Sequence, residues 1–293
     1  MNGQTPPDMH LVQGTTRIAT IVGHPVVQVK LPGLLNRHLQ QQGADVAMVP
    51  VDVPPEGLAA FFRLMRHGRN LIGSVLTIPH KQAAVAHLDV LSDRARALGA
   101  VNVVRRANDG TLHGDHVDGF SFLAAARAHG FHPRGRSAVV VGIGGAGSAI
   151  AYALCEIGVA RLCLLGRNAE RTRAFGAKLQ AWFPAVSLAY VCTDLAGVDF
   201  LAQATPVGMR AGDPLPLPAA LLDTLRAETL VADVITAPAV TPLLELAQAR
   251  GCRTQAGVEM ARASMAFLGG ILGLMPAVDP AAFVAAPLPS STI

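Results

Sequence analysis

Charge is scarce in this 293-residue chain: Asp, Glu, Lys and Arg make up 15% of it against 51% hydrophobic residues, and no long polar or single-residue tract interrupts it. That balance excludes a disordered polymer and predicts a globular, mostly ordered protein. Cysteine is equally sparse. Cys155, Cys163, Cys192 and Cys252 lack metal-ligand spacing, and two fall inside apolar runs, so they read as reduced core thiols and no metal centre is expected. The net charge of +4 comes from scattered Lys and Arg rather than a basic stripe. This argues against nucleic acid and favours a small anionic ligand such as a dinucleotide. No basic segment followed by an apolar stretch opens the chain, so export is not expected and the cytoplasm is the expected location. Residues 137–155 carry no charge, but four glycines break them into a strand, a turn and a helix, which describes a core βα unit and not a membrane span. The tails, 1–16 and 287–293, are rich in Pro, Gly, Ser and Thr and are expected to fray.

What the chain does have is Ala138-Val-Val-Val-Gly-Ile-Gly-Gly-Ala-Gly147, the pattern G-x-G-x-x-G between an apolar strand and a helical run. In such a phosphate cradle Gly142 permits the tight turn and Gly144 lets the backbone approach a pyrophosphate. Gly147 allows close helix–strand packing, and Gly145 and Ala146 open the helix whose N–H groups face the anion. The following strand ends in Gly166-Arg167-Asn168, where an NAD-selective site usually carries an acidic residue for the ribose 2′-hydroxyl. Arg167 would pair with a 2′-phosphate, so the expected cofactor is NADP(H).

A chain of this length favours two cores joined by a hinge. Strands are expected at 17–23, 45–53 and 70–79, alternating with helices at 34–42, 56–67 and 81–88. A further apolar segment at 100–106 is followed by Asn108-Asp-Gly110 and a strand at 111–113, a hairpin signal that predicts a small mixed sheet. After a helix at 120–129 come the glycine-rich unit and strands near Arg161, Ser187, Asp199 and Leu230. Thr241-Pro242 opens a helix that Gly251 ends, and a last apolar helix at 260–274 should pack across the first domain. The fold class is therefore α/β: an N-terminal α/β substrate domain (1–118 with 257–293), a C-terminal Rossmann NADP-binding domain (119–256), and a cleft between them.

Reduction of a carbonyl by a nicotinamide needs a group that stabilises the developing alkoxide and delivers a proton. Lys81, which ends Gly73-Ser-Val-Leu-Thr-Ile-Pro-His-Lys81, and Asp118, in Gly114-Asp-His-Val-Asp-Gly119, are available, although periodicity alone makes each an ordinary surface charge. From Arg17 to Leu272 the chain resembles the shikimate dehydrogenases. The landmarks are Gly23-His-Pro25 with Lys30 and Pro32, Thr77-Ile-Pro-His-Lys81, Gly99-Ala-Val-Asn102, the Asp118 motif, the glycine loop, Arg167, Ala204-Thr-Pro-Val-Gly-Met209, Asp233 with Pro238 and Thr241, and Gly257 with Met260. The resemblance implies NADP(H)-dependent reversible reduction of 3-dehydroshikimate, or a related cyclic ketone, within the shikimate pathway of aromatic amino acid biosynthesis. It implies Lys81 and Asp118 as the catalytic pair, Thr77 and Asn102 on substrate hydroxyls, and Arg167, Asn168, Thr205, Val234 and Gly257 beside the glycine loop as cofactor contacts.

The chain departs from that family in its substrate segment. Two carboxylate-binding serines between Gln28 and Pro32 are replaced by Val29 and Leu31, and an asparagine, a tyrosine and a glutamine by Val75, Thr236 and Ser264. His116 and Val117 stand where Asn and Thr are usual. A carboxylate left without hydrogen bonds costs several kcal/mol, so shikimate should bind poorly unless Lys30, Gln28 or a main-chain donor compensates. Quinate-like, aminoshikimate-like or less polar cyclic polyols are the expected substrates, bound by a monomer or homodimer. A nucleotide-binding regulator without turnover is the alternative class, and an enzyme acting on a folate-like compound ranks last. All ten histidines lie within the first 132 residues, but only His80 and His116 adjoin the expected site, and neither is expected to bind metal.

Overall fold

Burial of the last five of its seven residues marks β1 (Arg17–Gly23) as an interior strand of the first sheet in a computed structural model that describes residues 12–286. Parallel strands β2 (Val46–Asp52) and β3 (Leu71–Leu76) flank it. Helix α1 (Leu31–Gln41), with Pro32 in its first turn, connects β1 to β2, and α2 (Leu58–His67) connects β2 to β3. Leu58, Phe61, Phe62 and Met65 of α2 are buried, the i, i+3, i+4, i+7 stripe of a helix lying on a sheet. Past β3 the chain forms β4 (Val90–Leu91), α3 (Asp93–Leu98), β5 (Val103–Arg106) and β6 (Leu112–Asp115). The strand order β2-β1-β3-β5-β6-β4 includes antiparallel β3–β5 and β5–β6 pairs, the mixed sheet expected. Asp109-Gly110 turns the β5–β6 hairpin, with Gly110 at φ +90° and Asp109 Oδ1 accepting from Thr111 N at 2.9 Å. These elements form one compact unit, residues 12–115 with Leu268–Pro276.

The second unit comprises His116–Phe267 and 277–286. It contains α4 (Asp118–Ala128), β7 (Ser137–Val141), α5 (Gly145–Ile157), β8 (Arg161–Leu165), α6 (Ala169–Trp182) and β9 (Ser187–Ala189). These are followed by β10 (Phe200–Gln203), α7 (Ala219–Leu222), β11 (Leu230–Asp233), α8 (Pro242–Ala249), β12 (Arg253–Gln255), α9 (Gly257–Ile271) and α10 (Pro280–Ala285). Its six strands run in the order β12-β11-β10-β7-β8-β9 and every pairing is parallel, the doubly wound arrangement in which ligands bind beyond the carboxyl ends of the central strands. Parallel strands buried on both faces need continuous apolar runs, and Ser137–Val141 is buried at all five positions. Cys155 in α5 and Cys163 in β8 are free thiols, and burial pushes the pKa of each up to about 12. Among the described residues no helix is long and apolar enough to cross a membrane.

Three local expectations change. The stretch 81–88 is not an α-helix: turns are followed by a 3₁₀ segment, Ala83–His87. The Lys81 carbonyl accepts from Val101 N at 2.8 Å and so is spent across the chain instead of on the next helical turn. The initial tail is tied down by Thr16, buried with its hydroxyl 2.6 Å from Asp45 Oδ1; the remaining tail expectations, at 1–11 and 287–293, lie outside the described residues. Helix α9 begins three residues earlier than expected because Glu259 reaches back to accept from Ala256 N at 2.8 Å. It continues in the second unit to Phe267, while Leu272 packs on Gly73 of β3 in the first unit.

Candidate functional site

The first unit gathers polar residues beyond β3. Thr77 N donates to the Val22 carbonyl at 2.9 Å, and His80 N to the Thr77 carbonyl at 2.9 Å, closing a tight turn over Ile78-Pro79. Buried His80 donates from Nε2 to the Val53 carbonyl at 2.6 Å, fixing that turn to the end of β2. Lys81 is partly buried directly after it. Asn102 is buried beside β3, its carbonyl accepting from Leu76 N at 2.8 Å and its N–H donating to the Asp115 carbonyl at 3.0 Å. Thr77, Lys81 and Asn102 are thus held beyond one end of the central strands by main-chain bonds. Asp115 is itself clamped by Arg94, whose Nε and second guanidinium nitrogen lie 2.7 and 2.6 Å from its two carboxylate oxygens, and by the Ser92 hydroxyl at 2.6 Å.

The loop from His24 to Leu31 also belongs to this unit, and it offers little to a carboxylate. Gln28 turns its amide onto the Pro25 carbonyl at 2.7 Å, Val29 N donates to the Val26 carbonyl at 3.1 Å, and Leu31 is the first residue of α1. Lys30, the other side chain expected to compensate, is exposed. Ser264 lies in α9 of the second unit and donates to the Ala261 carbonyl at 2.8 Å. Asp118 is the first residue of α4, with His116 Nε2 3.8 Å from its Oδ2.

In the second unit a cavity of about 560 Å³ opens at the carboxyl ends of β7, β8 and β10. Of the residues assigned to the cofactor, Gly142, Gly144, Arg167, Asn168 and Thr205 line it, while Gly145, Ala146 and Gly147, in the first turn of α5, are not part of the lining. Gly142 adopts φ +94°, a region that favours glycine. At Gly147 a Cβ would lie 1.7 Å from the Gly142 carbonyl oxygen, so only glycine lets α5 start this close to the turn. Added Cβ atoms at Gly144 and Gly145 would meet nothing within 4 Å, leaving the first amides of α5 open to an approaching anion. Asn168 caps α6 by accepting from Arg171 N at 2.9 Å. That cap brings Arg171, four residues after Arg167, to the same cavity. Sequence reasoning missed Arg171, Ile143, Pro216 and Leu217. A second arginine in the first turn after the Asn168 cap was a usable signal for the first, and Ile143 lies inside the glycine motif itself; nothing local marks Pro216 or Leu217. Val234 and Gly257 form no part of the cavity lining but meet each other, a Cβ at Gly257 falling 2.4 Å from the Val234 carbonyl oxygen.

A glycine turn leading into a helix, with Arg167 just past the adjacent strand and Arg171 in the first turn of the helix that follows, suits a dinucleotide carrying an extra phosphate. The fold and this cavity define a Rossmann-type dinucleotide-binding protein joined to a second α/β unit. Residues 21–104 match the model of the shikimate dehydrogenase substrate binding domain. The shikimate dehydrogenase (NADP(+)) of Rubrobacter xylanophilus is 38% identical, covering 82% of this chain and 84% of its own. Two solved structures are similar over most of both chains. Shikimate 5-dehydrogenase from Thermus thermophilus, in complex with NADP(H) and shikimate, is 30% identical with a TM-score of 0.78 over 92% of this chain and 97% of that one. The ligand-free 5-ketofructose reductase of a Gluconobacter species is also 30% identical, with a TM-score of 0.81 over 92% and 96%. This chain belongs to the shikimate dehydrogenase family.

Proposed function

We propose that this protein is an NADP(H)-dependent alcohol dehydrogenase of the shikimate dehydrogenase type, which reversibly reduces 3-dehydroshikimate or a related cyclic ketone. The observation that carries the reading is the cavity in which Arg167 and Arg171 accompany an open glycine turn. NADP(H), when bound, is the hydride donor and acceptor of the reaction. The amides of Gly145 and Ala146 meet its pyrophosphate, and Arg167 with Arg171 pairs the 2′-phosphate that NADH lacks. Thr205, Val234 and Gly257 are assigned to the remainder of the cofactor. In the substrate-binding part of the chain, 1–118 with 257–293, Thr77 and Asn102 orient substrate hydroxyls. Lys81 Nζ delivers a proton to the carbonyl oxygen as charge builds there and takes it back in the oxidative direction. Asp118 is assigned as the second member of the catalytic pair. The reading places the enzyme in the cytoplasm as a monomer or homodimer acting on a small molecule.

A second reading of the substrate is favoured by the loop that ends in Val29 and Leu31. With the Gln28 amide and the Val29 N–H both engaged locally, a neutral polyol ketone, of the kind named for the 5-ketofructose reductase, fits better than a carboxylate. Steady-state assays with NADPH against 3-dehydroshikimate, 3-dehydroquinate and 5-ketofructose decide between them. The neutral-substrate reading expects kcat/KM for 5-ketofructose to exceed that for 3-dehydroshikimate; the reverse order would restore the carboxylate substrate. Lys81→Ala is expected to lower kcat on the better substrate roughly 10²-fold or more, the usual contribution of a positioned general acid. Absence of turnover with every one of these ketones, alongside tight NADPH binding, would favour a regulatory protein.

A further inference from the structure

Gln203, the last residue of β10, is fully buried. A buried primary amide brings two N–H donors and a carbonyl acceptor, and each is costly to leave unmet. All of them are spent on one short loop. Nε2 lies 2.8 Å from Thr205 Oγ1, 2.9 Å from the Val207 carbonyl and 3.2 Å from the Thr205 carbonyl, while Oε1 accepts from Thr205 N at 3.0 Å. Thr205 Oγ1 in turn accepts from Val207 N at 3.2 Å, and Ala204 N is pinned to the Val141 carbonyl at 2.7 Å. The loop so folded, Ala204, Thr205, Pro206 and Val207, lines the same cavity as Arg167. Packing alone does not call for an amide here, since Phe200, Leu201 and Ala202 fill the rest of the strand with apolar side chains.

We propose that Gln203 is a positioning residue for NADP(H): from inside the sheet its side chain holds Thr205 and Val207 in the shape that receives the cofactor. The inference rests on reading the cavity as the NADP(H) site. It predicts a split between cofactor and substrate parameters that a purely structural residue would not produce. A Gln203→Met variant keeps the length and volume of the side chain and removes every polar contact. It should fold with a modestly lower Tm and weaken NADPH binding about tenfold, as the loss of more than one net hydrogen bond implies. Its KM for the ketone at saturating NADPH should stay within about threefold of the parent, because no substrate contact is altered.

Gln203→Glu supplies a readout of the donor itself. Ionised, the new carboxylate accepts from Thr205 N but donates nothing to Val207 or the Thr205 carbonyl; protonated, it recovers one donor. Fluorescence titrations of NADPH should therefore show Q203E binding more tightly as pH falls, relative to the parent at each pH. If Q203M does not fold, this pH dependence still decides. A folded Q203M that binds NADPH within twofold of the parent, or a Q203E-to-parent affinity ratio that is flat with pH, overturns the inference while leaving the proposed function intact. Failure of the parent itself to bind NADPH would instead overturn the functional reading, and this inference with it.

Discussion

Asp233 ends β11 directly beside Gln203 in register, and it is buried too. Loss of hydration raises its pKa above the ordinary carboxylate range, while bonds from Ile235 N at 2.9 Å and Thr241 Oγ1 at 2.8 Å pull in the other direction without cancelling the shift. The sign follows from linkage. At a pH below the unfolded pKa both states carry the proton, and the native state bears no cost of a buried charge. As pH climbs through the raised native pKa, the unfolded chain has already ionised, and stability is lost. Asp233→Asn stays neutral and keeps an oxygen for Ile235 N, so its stability should vary less with pH across and above the ordinary carboxylate range. Urea unfolding of both proteins from pH 3.5 to 7 measures the difference; parallel curves would show that the two hydrogen bonds fully offset burial. What this carboxyl does for the fold is visible only in three dimensions. In the sequence it is one more aspartate in a motif, whereas in the structure it closes the 234–241 loop by bonding its far end at Thr241.

Between elements, backbone proximity is the property that side-chain patterns convey least. Gly119 illustrates it: a Cβ there would lie 2.0 Å from the Ala149 carbonyl oxygen and 3.0 Å from the Ala153 Cβ, so α4 and α5 touch through their backbones at this residue. Gly119→Ala must push the two helices apart. The expected cost is about 1–3 kcal/mol, typical of overpacking, read as a lower midpoint in denaturant with unchanged m. A midpoint equal to the parent's would show that α4 shifts freely. The strands and most helices were legible because buried parallel strands leave unbroken apolar runs and α2 leaves a helical stripe. The 81–88 segment was not, since Ala83, Ala84, Val85 and Ala86 favour a helix locally while the long-range bond from Val101 N to the Lys81 carbonyl prevents it. The start of α8 was legible because its capping side chain, Thr241, stands directly before Pro242; the start of α6 at Asn168 was not read, although the same kind of cap marks it. The α9 start was missed because its cap comes from Glu259, inside the helix.

For the molecule as a whole, the division of labour lies in which sheet each chemical group is built on. Every residue around the 560 Å³ cavity belongs to the second unit, and Thr77, Lys81 and Asn102 belong to the first. The glycine turn and Arg167 were legible because one βαβ stretch carries them. The remaining wall was only partly so: it is assembled from residues 204–207 and 216–217, and no local pattern links those segments to the turn. This assembly predicts where a bound dinucleotide slows amide exchange. Saturating NADPH should protect the segments 142–148, 165–172 and 204–208, which converge from three strands, and should leave the amides of β1, β2 and α2 in the first unit little changed. The same ligand should raise stability by about 2.7 kcal/mol at a hundredfold excess over its Kd, so a thermal shift accompanies the protection. NADH, lacking the phosphate that Arg167 and Arg171 would pair, should protect the 142–148 turn at higher concentration and give less protection at 165–172. Protection confined to the first unit, or equal protection by the two cofactors at equal concentration, would contradict the arginine-based selectivity on which the NADP(H) reading depends.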